Sequence, residues 1–385
     1  MSNEFLKFCT PEINQETIDE VTACIKSGWL ATGPRVKQFE EDLKKYLKAP
    51  YVLALNSATS GLHLALKCFG LEPQDEVITT PMTFVASLNT IIHAGARPVM
   101  VDVDLKTRNI AIDKIKAAIT PRTKAILPVH FAGIPVDLDP IYEIAQKHNL
   151  RVLEDCAHAM GSHYKGKVLG SFGDTQVFSF HPNKVMTTGE GGSISTRDEQ
   201  LTKKISIQRF HGIDRDSFNR FSKEGSQHYD VIQPGYKYNM MDLQAAIGIH
   251  QLQQLESFIA KRQKLVDRYN EILASWPEFT LPTLPSYDCR VSWYIYAPLV
   301  NPETAGMDRD TFIAKMKEQN IGLGYHHHAA HLYTYYKETF GYQRGDFPNA
   351  EAISDRVVSL PLFSTMTIAD QDRTITAMKK IFKKE

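Results

Sequence analysis

The sequence predicts an α/β protein: a large domain built on a mostly parallel sheet flanked by helices, followed by a smaller C-terminal α+β domain. Two observations carry the prediction. Between Glu76 and Asp155, apolar runs alternate with amphipathic ones: VITT, a helical pattern over 85–93, PVMVDV, a helical pattern over 112–119 that stops before Pro121, KAILPVH, another helix, and LRVLED. Strands that are apolar throughout are buried on both faces, the mark of a parallel sheet covered by helices. The second observation is a long helical pattern through Leu243, Leu252, Phe258, Leu265 and Ile272. It is long enough to carry the chain out of the first unit, so the domains are expected at 1–250 and 251–385, sizes that suit a chain of 385 residues.

In chain order, Ile18, Val21 and Ile25 recur at helical spacing before Gly28 and predict an amphipathic first helix. Trp29 and Leu30 follow in a glycine-bounded loop, expected to cover the core or to border a pocket or subunit contact. Val36, Phe39, Leu43 and Leu47 mark a second helix after Gly33 and Pro34. Tyr51 to Leu55 reads as a strand, and NSATSG leads from it into the helix LHLALKCFG. That junction suits an anion, because unpaired N–H groups and the Ser57 and Thr59 hydroxyls point outward, although either residue can serve simply as an N-cap. Asp102 and Asp104 are expected to cap and turn. Asp139 should cap a helix with Pro140 at its first position and Asn149 closing it.

In a parallel sheet, ligands lie beyond the carboxyl ends of the strands. Asp155 stands at such an end, followed by the small residues of CAHAMGS with His158 among them. It can cap a helix, bind a metal or pair with a protonated nitrogen; metal is disfavoured because Glu154 points to the other face of the strand. Lys184 lies in TQVFSFHPNKVMTTGEGGSIS, a loop of small residues between two apolar strands. A lysine there is an ordinary charged residue, a phosphate ligand or an imine-forming amine. Beyond it, the polar segment Ser217 to Tyr229 is expected on the surface, and SWYIYAPLV, 310–318, 350–358 and 368–382 supply a strand and three helices.

Other classes are excluded or disfavoured. The 44 basic and 44 acidic side chains leave no basic excess for nucleic acid or an anionic membrane. No long apolar run or signal peptide is present, which predicts a cytoplasmic protein. Five scattered cysteines form no CxxC pair and are expected to be reduced. Neither G-x-G-x-x-G opening a helix nor G-x-x-x-x-G-K-[ST] occurs. The four histidines of YHHHAAH suggest metal, but adjacent side chains diverge and no completing ligand stands near, so substrate contact or a solvated cluster is preferred.

Around one ligand, the helix start at Ser57 to Gly61, the carboxylate of Asp155 and the amine of Lys184 converge on pyridoxal phosphate. Its phosphate suits the helix, its ring nitrogen the aspartate and its aldehyde the lysine. Phe84, in TTPMTFVAS, can stack on its ring.

The motifs SGWLATGP, LNSATSGLHLAL, EDCAHAMGS, SFHPNKVMTTGEGG, RFHG and PGYKYNMMDLQAAI resemble the DegT-type nucleotide-sugar aminotransferases of fold-type I, over nearly the whole chain. Within them, TPRTKAILPVHFAG, GYKYN and the HHHAAH region are similar to the UDP-4-amino-4-deoxy-L-arabinose aminotransferases of lipid A modification. The chain departs from those at His327 and His328, where they carry phenylalanine and arginine, and in TTGEGG. The resemblance implies that Lys184 forms the imine and shuttles the proton, that Asp155 bonds the pyridine nitrogen and that His158 lies near the ring or its 3-oxygen. It implies a phosphate site of Ser57, Ala58, Thr59 and Ser179, with Asn239 supplied by the other subunit of a homodimer. Substrate contacts are expected at Trp29, Thr32, His181, Tyr325, His326 and His328. The implied reaction moves an amino group from glutamate, leaving 2-oxoglutarate, to a nucleotide-linked 4-keto sugar for lipopolysaccharide or another surface polysaccharide. Two rivals remain: a sugar dehydratase of the same family, in which histidine replaces the lysine, and a non-enzymatic sugar-nucleotide-binding protein.

Overall fold

A computed structural model of the protein describes residues 4–214 and 228–384; most of the expected surface segment over 217–229 lies outside them. Helices α1 (Gln15–Lys26) and α2 (Pro34–Leu47) precede the first strand. Seven strands form one sheet: β1 (Tyr51–Leu55), β2 (Glu76–Thr79), β3 (Arg97–Met100), β4 (Thr123–Ile126), β5 (Arg151–Asp155), β6 (Thr175–Ser179) and β7 (Gly192–Thr196). Their spatial order is β1-β7-β6-β5-β4-β2-β3. Only β7 runs antiparallel to its neighbours. The mostly parallel sheet is therefore as expected.

Helices α3 (Ala58–Cys68), α4 (Val85–His93), α5 (Ile112–Ala118), α6 (Leu138–His148) and α7 (Glu199–Gln208) cover it. The side chains alternate between two cores. Val52, Ile78, Ile126, Val152 and Phe178 enter one, and Leu55, Val77, Ala125, Leu153 and Val177 the other, with the leucines of α3. The period of two that sends Val152 and Leu153 to opposite faces does the same for Glu154 and Asp155.

Helix α8 (Asp242–Leu273) is continuous through the boundary expected near position 251. Leu252, Leu255 and Phe258 pack in the first core, whereas Leu265, Val266 and Tyr269 pack in a separate cluster with Trp276, Phe312 and Met378. Its first residue, Asp242, fully buried, accepts N–H bonds from Arg35 and Val36 and so closes the start of α2. The remaining helices are α9 (Pro302–Ala305), α10 (Arg309–Glu318), α11 (Thr334–Phe340), α12 (Pro348–Ser354) and α13 (Ile368–Phe382). Among the described residues no helix is long and apolar enough to cross a membrane.

Four local expectations need correction. Helix α1 buries Thr17 and Cys24 against the chain, leaving Ile18 and Ile25 outward and exposed. Helix α6 starts two residues early, with Asp137 at its cap, so that Asp139 lies in the first turn. Within SWYIYAPLV only Leu299–Val300 forms a strand; Tyr296 and Leu299 otherwise make isolated bridges to Leu360 and Val357. Helix α12 stops at Ser354, and Val357 and Val358 instead run extended in those contacts. Asp102 and Asp104 do cap and turn: Asp102 accepts from Asn349 and Ala350 at the start of α12, and Asp104 from Lys106 and Thr107.

Candidate active site

At the carboxyl ends of β5 and β6 lies a cavity of about 340 Å³. Asp155 and Lys184 reach it, as do Ser57, Ala58, Thr59, Phe84, His158, Ser179, His181, Tyr325 and His326. The topology explains the meeting. Asp155 ends β5, and Lys184 follows β6, the next strand in the sheet. The amino end of α3 arrives from β1 on the far side of β7.

Asp155 is buried and held from two sides. Ser87 Oγ donates to Oδ2 at 2.7 Å, and the Ala157 N–H donates to Oδ1 at 3.0 Å. The Thr83 hydroxyl in turn lies 2.7 Å from Ser87. Each oxygen keeps lone-pair capacity for a further donor.

Lys184 sits in a pinned loop. Phe180 and Thr188 bond across it, and Thr187 Oγ1 donates to Phe180 O. The side chain lines the cavity and is half-buried. Burial pushes its amine down to about 7, while Asp155 and Cys9 pull it up. At neutral pH the group therefore exchanges protons readily, as an acid–base catalyst must.

Ser57 caps α3, accepting from the Ser60 N–H at 3.1 Å. With Ser60 and Gly61 bonded back to Ser57, the N–H groups of Ala58 and Thr59 are left without a partner in the helix and, with the Thr59 hydroxyl, suit an anion. Gly192 fixes this corner. A Cβ there would stand 2.5 Å from Ala58 N and 2.6 Å from Ser57 C, so only glycine lets β7 run so close beneath the helix start.

His158 and His327 stack at 5.5 Å and 18° in the cavity wall, and each has one buried ring nitrogen without a partner, Nδ1 and Nε2 respectively. Burial drives both far below the usual imidazole range, with Lys184 and the adjoining histidines disfavouring a further proton. They are neutral rings. Phe84, 62% exposed, stands over the opening with its ring 6.2 Å from His327.

The histidine cluster divides. His326 and His327 line the cavity, His328 turns to the Tyr325 hydroxyl at 3.1 Å, and His331 is buried against Glu351 at 3.0 Å. Trp29, Thr32 and Asn239 are not brought to this chain's cavity. Trp29 Nε1 donates to Thr32 O, Thr32 Oγ1 to Met240 O, and Asn239 Nδ2 to Thr32 Oγ1. Sequence reasoning missed Ser87, Ala157 and Tyr294. The hydroxyl run in TTPMTFVAS was the one signal for Ser87; nothing local marks Tyr294.

Behind the strand, His130, Glu154 and Cys156 bring potential ligand atoms within 4.8 Å of one another. The group satisfies itself. His130 Nδ1 accepts the Val136 N–H, so its proton is on Nε2, which donates to Glu154 at 3.0 Å.

The sequence profile of the DegT/DnrJ/EryC1/StrS aminotransferase family matches residues 11–379. The chain belongs to this family. It is a sugar aminotransferase that uses pyridoxal phosphate. Among relatives, it is 44% identical to the spore coat polysaccharide biosynthesis protein SpsC of Bacillus subtilis, over 99% of this chain and 98% of that one. It is 40% identical to the UDP-4-amino-4-deoxy-L-arabinose–oxoglutarate aminotransferase of Shewanella sediminis, over 99% of each. Among solved structures, the putative sugar aminotransferase Spr1654 of Streptococcus pneumoniae in its PMP-form superposes with a TM-score of 0.91 at 32% identity, covering 98% of this chain and 99% of that one. The aminotransferase's cavity fits its cofactor: an amine, a carboxylate and a helix amino end face one space, and an unpartnered His158 nitrogen stands in the wall.

Proposed function

We propose that the protein transfers the amino group of glutamate to the 4-keto carbon of a sugar carried on a nucleotide, with UDP the first candidate. In this reading it acts as a cytoplasmic homodimer and supplies amino sugars to lipid A or another surface polysaccharide. The observation that carries the reading is the meeting of Lys184, Asp155 and the open end of α3 in one cavity. The Shewanella relative's name, with its UDP sugar and oxoglutarate, supports the choice of substrates.

When bound, pyridoxal phosphate supplies an electron sink for the bond being broken at the amino-bearing carbon. Ser57, Ala58, Thr59 and Ser179 bind its phosphate, and Asn239 of the partner subunit completes the set. Asp155 holds a proton at the ring nitrogen. Phe84 and His158, which line the cavity, would flank its ring. Lys184 Nζ would take the proton from the donor's α-carbon and hold it for return, serving as base and then acid in both halves of the reaction. His181, Tyr325 and His326 line the side left for substrate. Exposed Ile18, Ile25, Phe84 and Met241, and the buried unpartnered Oδ1 of Asn239, support a partner subunit.

Borohydride reduction of the cofactor-loaded protein, followed by peptide mass mapping, should place the label on Lys184, and Lys184→Ala should lose both label and transamination. A label elsewhere, or none, ends this assignment. UDP-, dTDP- and GDP-linked 4-keto sugars offered with glutamate, with 2-oxoglutarate followed, separate the carriers. Equal rates with all three would remove the UDP preference.

A further inference from the structure

Tyr294 lies 110 positions beyond Lys184 in sequence, yet the amino nitrogen of Lys184 stands 4.0 Å from the centroid of its ring. The same ring packs on His158 at 4.2 Å. Its hydroxyl is 3.2 Å from His326 Nε2, and His326 Nδ1 is 2.9 Å from Ser359 Oγ. The backbone is clamped as well. Arg262 of α8, 2% exposed, donates to the carbonyls of Trp293 and Tyr294, both at 3.2 Å, and of Leu362 at 2.9 Å.

A buried guanidinium is unfavourable where donors go unused, and here Nε has no partner while Nη1 alone is shared among three carbonyls, two of them in the segment that presents Tyr294. Trp293, within that segment, holds a left-handed backbone with φ 53°, uncommon for a residue with a side chain. A core tyrosine needs one partner for its hydroxyl. This one is fixed at the hydroxyl, the ring and the backbone, with one ring face turned to the amine.

We propose that Tyr294 is a positioning residue: its ring is the seat on which the Lys184 amino group rests whenever that amine is not joined to the cofactor, and Arg262 and His326 hold the seat in place. The proposal rests on Lys184 as the reactive amine. The groups around that nitrogen are Asp155, Cys9, His158, His326 and His327, and among them only Asp155 and Cys9 favour the ammonium. The ring face adds a further attraction for the cation, offsetting part of the effect of burial. It also confines a long flexible chain to one place between proton transfers.

The test uses cofactor-free protein carrying [ε-13C]lysine, with the Lys184 signal assigned by its loss in Lys184→Arg. In the wild type that signal is displaced upfield by the ring current and titrates near 7. Tyr294→Phe keeps both features. Tyr294→Leu loses the displacement, and its ammonium form is disfavoured about tenfold, a midpoint about one pH unit lower. A wild-type signal without upfield displacement overturns the proposal with no variant needed, so a leucine variant that does not fold leaves the test intact. A leucine variant whose midpoint is unchanged or higher also overturns it. Absence of the borohydride label on Lys184 would defeat the assignment of the reactive amine, while these titrations would still report where its nitrogen rests.

Discussion

Glu154 and Asp155 are consecutive on one strand, both carboxylates are buried, and they face opposite sides of the sheet. Glu154 is enclosed by three donors: the Tyr142 hydroxyl donates at 2.6 Å, Gln176 Nε2 at 2.7 Å and His130 Nε2 at 3.0 Å. Asp155 has two donors and opens on a cavity. Burial alone therefore does not mark a functional carboxylate. What separates the two is the space each faces, since Asp155 alone turns toward room that a ligand can enter.

The comparison can be broken by exchanging the two losses. Asp155→Asn should lower the transamination rate by about 10³-fold, since a neutral amide no longer holds the ring nitrogen's proton, with unfolding stability changed by under about 1 kcal/mol. Glu154→Ala should do the reverse. Three buried donors lose their acceptor, so urea unfolding should show a loss of about 3 kcal/mol or more, with kcat per folded molecule unchanged. If both variants fail in the same way, the two faces are not functionally distinct.

Ser87→Ala sharpens the contrast, because it removes one donor from Asp155 and leaves the carboxylate. An approximately tenfold fall in kcat, with the borohydride label still on Lys184, would show that orientation matters beyond charge. The smallest effect concerns Lys184, which is only half-buried and partly screened by solvent. Its folded value, about 7, lies below its ordinary 10.5, so between those values the unfolded chain holds a proton the folded one has released. Stability of the cofactor-free protein should rise with pH across that window. Lys184→Met should be the more stable protein at pH 6, and its advantage should shrink toward pH 10 in parallel urea titrations.

Much of the architecture was legible because it rests on local pattern. Fully apolar strands between amphipathic helices specify a covered parallel sheet, and strand ends then direct attention to Asp155 and Lys184. Local pattern misled where packing partners decide. The apolar spacing of α1 marked an amphipathic helix, but the helix packs beside α8 with Thr17 and Cys24 buried and Ile18 and Ile25 exposed. The cap of α6 moved by two residues because aspartates at 137 and 139 both suit a helix start.

The sequence by itself determined the fold class, the strand-end carboxylate and amine, and the hydroxyl-rich helix start, because each depends on neighbours within a few residues. Only the tertiary structure decided which buried carboxylate faces the cavity, which histidines of YHHHAAH line it, and that Tyr294 lies beneath the Lys184 amine. Those facts depend on side chains that meet across distant strands and helices, and a bond left unmade becomes visible only when every possible partner has been placed.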